Sequence, residues 1–87
     1  MRFFKLSKSI FDYQLTPKAV FVYAYLTSRV NVLQTAVVSY QMITKACNMD
    51  VKTVISAITE LNIAGLVQKE NRYNILGYAK NKYFVKN

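Results

Sequence analysis

The stretch from Tyr40 to Tyr83 constrains this chain more than any other part of it. Ser39 is a good N-cap for a helix over Tyr40 to Cys47, and Asn48 follows it, a residue that tolerates the left-handed backbone a tight interhelical turn needs. Asp50 then caps a second helix, Val51 to about Ala64, which Gly65 ends in the usual C′ position. The spacing predicts helix, tight turn, helix and stop, with the apolar stripes of Ile43, Cys47, Met49, Val54, Ile58 and Leu61 meeting across the turn.

Beyond Gly65, Leu66 to Glu70 and Tyr78 to Lys86 read as two strands, because Tyr73, Tyr78, Tyr83, Phe84 and Val85 favour extended backbone. The polar stretch centred on Asn71 to Gly77, with Asn74 and Gly77, is expected to be the loop joining them. Before Tyr40, Ala36-Val37-Val38 fits a short strand, and Asn31 to Thr35 a loop. Thr16-Pro17 marks a further helix start, with Thr as cap and Pro where its missing N–H costs nothing, and that helix should run to about Arg29. Phe3, Phe4 and Leu6 suggest an extended segment, and Ser7 a capped turn carrying Ile10 and Phe11. The expected fold class is α+β: a winged helix-turn-helix of three main helices and a C-terminal two-stranded β-hairpin wing, in one domain over residues 1–87.

The first helix is apolar on more than one side. Ala19, Val22, Tyr23 and Leu26 form one face, while Val20, Phe21, Ala24 and Tyr25 cover much of the rest. Such a helix must be covered twice. Either the N-terminal Phe3, Phe4, Leu6, Ile10 and Phe11 pack on the second side, or the 17–29 helix and the N-terminal segment form a homodimer interface.

Charge selects the partner. Twelve Lys and Arg stand against four Asp and Glu, a formal net charge of +8 with no histidine, which favours a polyanion. Nucleic acid leads, an anionic membrane surface comes second, and solubilising charge is the bland explanation. The longest apolar run, Ala19 to Leu26, is far short of a bilayer span, and lysines break up Met1 to Lys8 before a signal-peptide core forms. A soluble, cytoplasmic protein is expected.

On the third helix, 100° per residue gathers Val51, Val54, Ile55, Ile58, Leu61 and Asn62 on one side and Lys52, Thr53, Ser56, Thr59 and Glu60 on the other. Small polar side chains on an outer face let a helix backbone approach base edges in a major groove. Lys52, near a helix N-terminus that already favours phosphate, is expected on the DNA backbone or a guanine, and Thr53 and Ser56 on base edges or methyls. Tyr40, Gln41 and Lys45 on the preceding helix are the expected phosphate positioners. In the hairpin Lys69, Arg72, Lys80 and Lys82, interleaved with Tyr73 and Tyr78, should track phosphates or enter a minor groove, although lysines on edge strands also discourage aggregation.

Two regions carry a family likeness: Phe3 to Phe11 with Leu15-Thr16-Pro17-Lys18-Ala19, Val22-Tyr23 and Leu26, then Asp50-Val51-Lys52-Thr53-Val54, Glu60-Leu61, Gly65 to Lys69 and Asn81-Lys82-Tyr83. Together they resemble the N-terminal winged-helix domains of Gram-positive plasmid replication initiators and phage replisome organisers. The likeness spans almost the whole chain and implies binding to DNA repeats at a replication origin. In that family the domain usually heads a longer chain, whereas this sequence stops at Asn87, as an excised domain or a free-standing protein would.

Catalysis is not expected. Histidine is absent, Cys47 sits at an apolar helix position without a base, and the carboxylates are scattered singly. Neither a metal-ligand cluster nor a phosphate-cradling glycine loop is present, so no cofactor, metal or small-molecule substrate is expected. A transcriptional regulator, a conjugation or partition accessory protein and a winged-helix protein-interaction module share the same sequence pattern.

Overall fold

A computed structural model describes residues 14–75 and 78–86, with the backbone alone for 71–75 and 78–79. The element order is α1 Pro17–Ser28, β1 Thr35–Val38, α2 Tyr40–Cys47, α3 Val51–Ile63, β2 Val67–Ile75 and β3 Tyr78–Val85. The expectations for Phe3, Phe4, Leu6, Ser7, Ile10 and Phe11, and for Gly77, lie outside the described residues.

Each helix begins where its cap dictates. The Thr16 hydroxyl accepts from the Ala19 N–H at 3.3 Å, the Ser39 hydroxyl from Met42 at 3.1 Å and the Asp50 carboxylate from Thr53 at 2.8 Å. These bonds satisfy N–H groups that a helix start otherwise leaves unpaired. Asn48 turns the chain out of α2 at φ 55° and ψ 50°. Gly65, at φ +79°, ends α3: its N–H reaches the Asn62 carbonyl and that of Leu66 the Leu61 carbonyl, both at 3.0 Å. That pair of bonds is a Schellman closure, and it buries Leu66 beneath the helix end.

The three strands form one antiparallel sheet in the order β1-β3-β2. Ala36 and Val38 pair with Tyr83 and Asn81, while on the other edge of β3 Lys69 and Arg72 pair with Tyr83 and Asn81. The inner sheet face, with Ala36, Val38, Val67, Tyr83 and Val85, closes over Ala19, Val22, Tyr23 and Leu26 of α1 and the buried residues of α2 and α3. Cys47 is one of those, a small core residue whose thiol pKa is raised by burial.

Two expectations need correcting. The polar stretch Asn71 to Ile75 is not a loop but the outer half of β2, paired from Asn71↔Lys82 to Ile75↔Tyr78, and Asn74 is therefore a strand residue. Its polarity misled because an outer wing strand needs no apolar face; a register shift between Lys69 and Asn71, at Glu70, lets the ladder continue. On α3, Val51 and Ile55 are exposed, by 45% and 43%, and Asn62 is exposed, whereas Ala57 is buried. The buried stripe is Val54, Ala57, Ile58 and Leu61, turned toward α1, where the methyl of Ala57 allows close packing.

Candidate nucleic-acid interface

The outer face of α3 exposes Lys52, Ser56 and Thr59. Thr59 turns its hydroxyl proton back to the Ile55 carbonyl, at 2.9 Å, and so offers only acceptor capacity outward. Thr53 and Glu60 lie on the flank that meets the start of α1, both half-buried. There a groove runs between the two helices, with Lys18, Lys52, Thr53 and Ser56 along it. Thr53 thus stands at the edge of the outer face, and its amide serves the Asp50 cap. The two hydrogen bonds from Thr53 hold the Asp50 carboxyl below the usual range, with Lys18 adding a smaller electrostatic pull.

Tyr40, the first residue of α2, packs its ring against the core while its hydroxyl meets the wing. The Lys69 ammonium donates to that hydroxyl at 3.4 Å and stands 5.7 Å from the ring centroid. Lys69 is exposed and, being paired with Tyr83, projects from the inner sheet face toward α2. Gln41, next to Tyr40 in sequence, is exposed. Lys45, also exposed, lies one turn on, where it shares a shallow surface depression with Tyr25 and Arg29 of α1.

Among the described residues, Lys69, Lys80 and Lys82 do not share one face of the wing. Asn81 and Tyr83 point inward and are buried, so Lys80 and Lys82, at the alternate positions, belong to the outer sheet face, where both are half-buried. Lys82 pairs with Val37, which is exposed. Arg72 stands opposite Asn81, Tyr73 opposite Lys80 and Tyr78 opposite Ile75. Among the described wing cations Lys69 is therefore the one that contacts the helix-turn-helix, and Lys80 and Lys82 lie on the other surface of the sheet.

Behind Lys69 lies a polar pair that sequence reasoning missed. The Asn81 side-chain N–H donates to the Tyr83 hydroxyl at 3.0 Å, both residues being buried, and the side-chain Oδ1 of Asn81 has no hydrogen-bond partner. Burial keeps the Tyr83 phenol neutral far beyond the ordinary range, the nearby Tyr40 hydroxyl adds to that effect, and the Asn81 amide opposes it. One signal was available in the sequence: Asn81 occupies an inward position of a strand whose other inward residues are Tyr83 and Val85. Val51 and Ile55 were missed as surface residues because their spacing matches the buried stripe at its edge.

Among the described residues no three or more of His, Cys, Asp and Glu gather as a metal site, and no helix is long and apolar enough to cross a membrane. Residues 13–67 match the model of a helix-turn-helix domain family. No curated protein and no solved structure matches the chain.

Proposed function

Because the chain belongs to the helix-turn-helix domain family, a fold that supports binding to double-stranded DNA, we propose that it is a sequence-specific, non-enzymatic DNA-binding domain. The observation that carries this reading is the contact between Lys69 and Tyr40, which brings the base of the wing to the start of α2 beside α3. In this reading residues 51–64 enter the major groove, and the wing over 66–86 follows phosphates or the adjacent minor groove. Lys52, Ser56 and Thr53 meet base edges, with Val51 and Ile55 available to thymine methyl groups. Tyr40, Gln41, Lys45 and Lys69 meet the DNA backbone beside α3, and Arg72, Tyr73, Tyr78, Lys80 and Lys82 are the wing's candidates for DNA contact, Lys80 and Lys82 from the opposite sheet face, which a wing laid edge-on along the duplex would also present to phosphates.

The resemblance of Leu15 to Ala19 and Asp50 to Val54 to replication initiators and replisome organisers supports repeats at a plasmid or phage origin as the target, with the protein acting in the cytoplasm as a single domain. Half-exposed Phe21 on α1 supports homodimer formation through the 17–29 helix. If about five cations meet phosphates, log affinity falls with a slope near −4.5 against log salt, roughly 500-fold between about 50 and 200 mM. Fluorescence anisotropy on a random duplex measures that slope, and an affinity indifferent to salt removes the electrostatic basis of the proposal. Selection from a random duplex pool then gives the preferred sequence and the spacing of its repeats.

A second reading rests on Ile63, 83% exposed at the C-terminal end of α3, away from the N-terminal turns that a recognition helix turns to the bases. A winged-helix protein-interaction module would use it. Mobility shifts on host DNA separate the two, since such a module binds no duplex better than random sequence.

A further inference from the structure

We propose that the turn at Val32 and Leu33, with the outer face of the sheet beside it, is a docking surface for an acidic protein segment that bears an apolar stripe. Val32 is 96% and Leu33 70% exposed, and both sit at the centre of a turn that the Gln34 N–H closes onto the Asn31 carbonyl at 3.0 Å. Central turn positions ordinarily take glycine, asparagine, aspartate or proline, whose backbones suit the bend. Two branched aliphatic side chains there serve neither the turn nor the core. The turn is also firmly built: the Asn31 Oδ1 accepts from the Leu33 N–H at 2.8 Å, the Thr35 N–H at 3.2 Å and the Thr35 hydroxyl at 3.0 Å. The Val85 N–H fastens the Gln34 carbonyl to β3 at 2.9 Å. Val32 and Leu33 are thereby held out from a fixed backbone, which lowers the ordering cost of binding.

The register places further apolar surface at the same end of the sheet. Thr35, two residues after Leu33, pairs with Phe84, and Val37 pairs with Lys82. Because Asn81, Tyr83 and Val85 point inward, Phe84 shares the outer face of β3 with Lys80 and Lys82, and both Phe84 and Val37 are exposed. Isolated surface aliphatics are ordinary, but four large apolar side chains on one loop and the strands it joins make a patch. Charge decides its occupant. Lys82 precedes Phe84 on this side of the strand and Lys86 follows it. Of the described carboxylates, Asp50 caps α3 and Glu60 binds Thr16, which leaves Glu70 alone in the wing. A second copy would bring the same lysines against each other, in a chain of formal net charge +8. A bilayer reached by the turn alone would leave Val37 and Phe84 uncovered on the sheet. A segment whose carboxylates flank apolar residues matches both the aliphatic surface and its lysine rim.

The test is the anisotropy of a fluorescein-labelled amphipathic helical peptide, with leucine along one face and glutamate on the other, titrated with the whole chain. The control peptide carries lysine in place of glutamate. The glutamate peptide should bind saturably and the lysine peptide should not. Leu33→Ser, Val32→Ser and Phe84→Ser should each weaken binding about tenfold, the scale of one apolar side chain lost from a contact. Lys86→Ala should weaken it about threefold. If Phe84→Ser does not fold, the two turn variants carry the test, since Val32 and Leu33 lie outside the core. Neither belongs to the surface read as DNA-binding, so duplex affinity should be unchanged in both, and failure of this proposal leaves the DNA reading standing. Glutamate-peptide binding untouched by Leu33→Ser and Val32→Ser is charge attraction alone and overturns the proposal, as does the absence of binding. A dimer in analytical ultracentrifugation that Leu33→Ser dissolves assigns the patch to a second copy. Cosedimentation with phosphatidylserine vesicles that Leu33→Ser abolishes assigns it to a membrane, and either result overturns the acidic partner.

Discussion

Glu60, in the last turn of α3, accepts a 2.7 Å hydrogen bond from the backbone N–H of Thr16, the residue that caps α1. The Thr16 hydroxyl lies 3.2 and 3.3 Å from the two carboxylate oxygens, while the same hydroxyl accepts from Ala19. One carboxylate thus ties α3 to the start of α1. Glu60→Ala should lower the free energy of unfolding by about 1 kcal/mol, the scale of a partly solvated hydrogen bond to a charge. A urea midpoint unchanged from the wild type would show that the tie contributes nothing.

On the proposal that α3 reads bases, Lys52→Ala combined with Ser56→Ala should reduce binding to the selected sequence more than binding to random duplex. The difference expected is about 1–3 kcal/mol per base-reading side chain. Arg72→Ala and Lys80→Ala should instead weaken both alike and flatten the salt slope. Equal losses on every sequence for the helix pair mean that α3 does not read bases.

Ile58 lies in the buried stripe of α3, 7% exposed among Val54, Ala57 and Leu61. Ile58→Ala opens a cavity costing about 2–5 kcal/mol, a large share of the stability of a small domain. Thermal unfolding by circular dichroism reads the loss, and a variant that melts with the wild type is incompatible with this packing.

Acid should loosen the start of α3 through Asp50. Hydrogen bonds from Thr53 lower its carboxyl pKa in the folded state. The stability it contributes is therefore present above the ordinary carboxylate range and is lost as pH falls through the lowered value. In Asp50→Asn the amide still caps the helix but cannot titrate. The stability lead of the wild type over this variant should shrink as pH falls below the ordinary carboxylate range, and parallel curves would remove Asp50 from the acid response.

Gly65 adopts φ +79°, and a Cβ built there meets no atom within 4 Å. Gly65→Ala should therefore cost only the left-handed penalty, about 1–2 kcal/mol, with no steric addition. Gly65→Asn should cost less, since asparagine tolerates that conformation. Equal destabilisation by both would point to crowding that the fold does not contain.

The helical part of the fold was legible because its punctuation is local. Thr16-Pro17, Ser39, Asn48, Asp50 and Gly65 act on their own neighbours, and each marks a helix end observed in the structure. The reach of β2 was not legible, because Asn71 to Ile75 are strand only by virtue of their partners across the hairpin. Periodicity alone also left the direction of the α3 stripe uncertain by one residue's rotation, and Ala57 against α1 decided it. For the candidate interface, residue types pointed to Lys52, Ser56, Tyr40 and Lys69. The separation of Lys69 from Lys80 and Lys82, and the Asn81–Tyr83 pair, depend on register, which is set by pairing between distant segments.

In the order β1-β3-β2, the strand made last is the one in the middle. β3 receives β1 on one edge and β2 on the other, its Val85 N–H reaches the Gln34 carbonyl at 2.9 Å, and just past it the Lys86 carbonyl accepts the Tyr23 hydroxyl at 2.6 Å. During vectorial synthesis the three helices can leave the ribosome and collapse, but the sheet has no centre until residues 78–86 follow. Folding of this domain is thus gated by its final segment, and a nascent chain stalled within the wing would expose both unpaired edges at once.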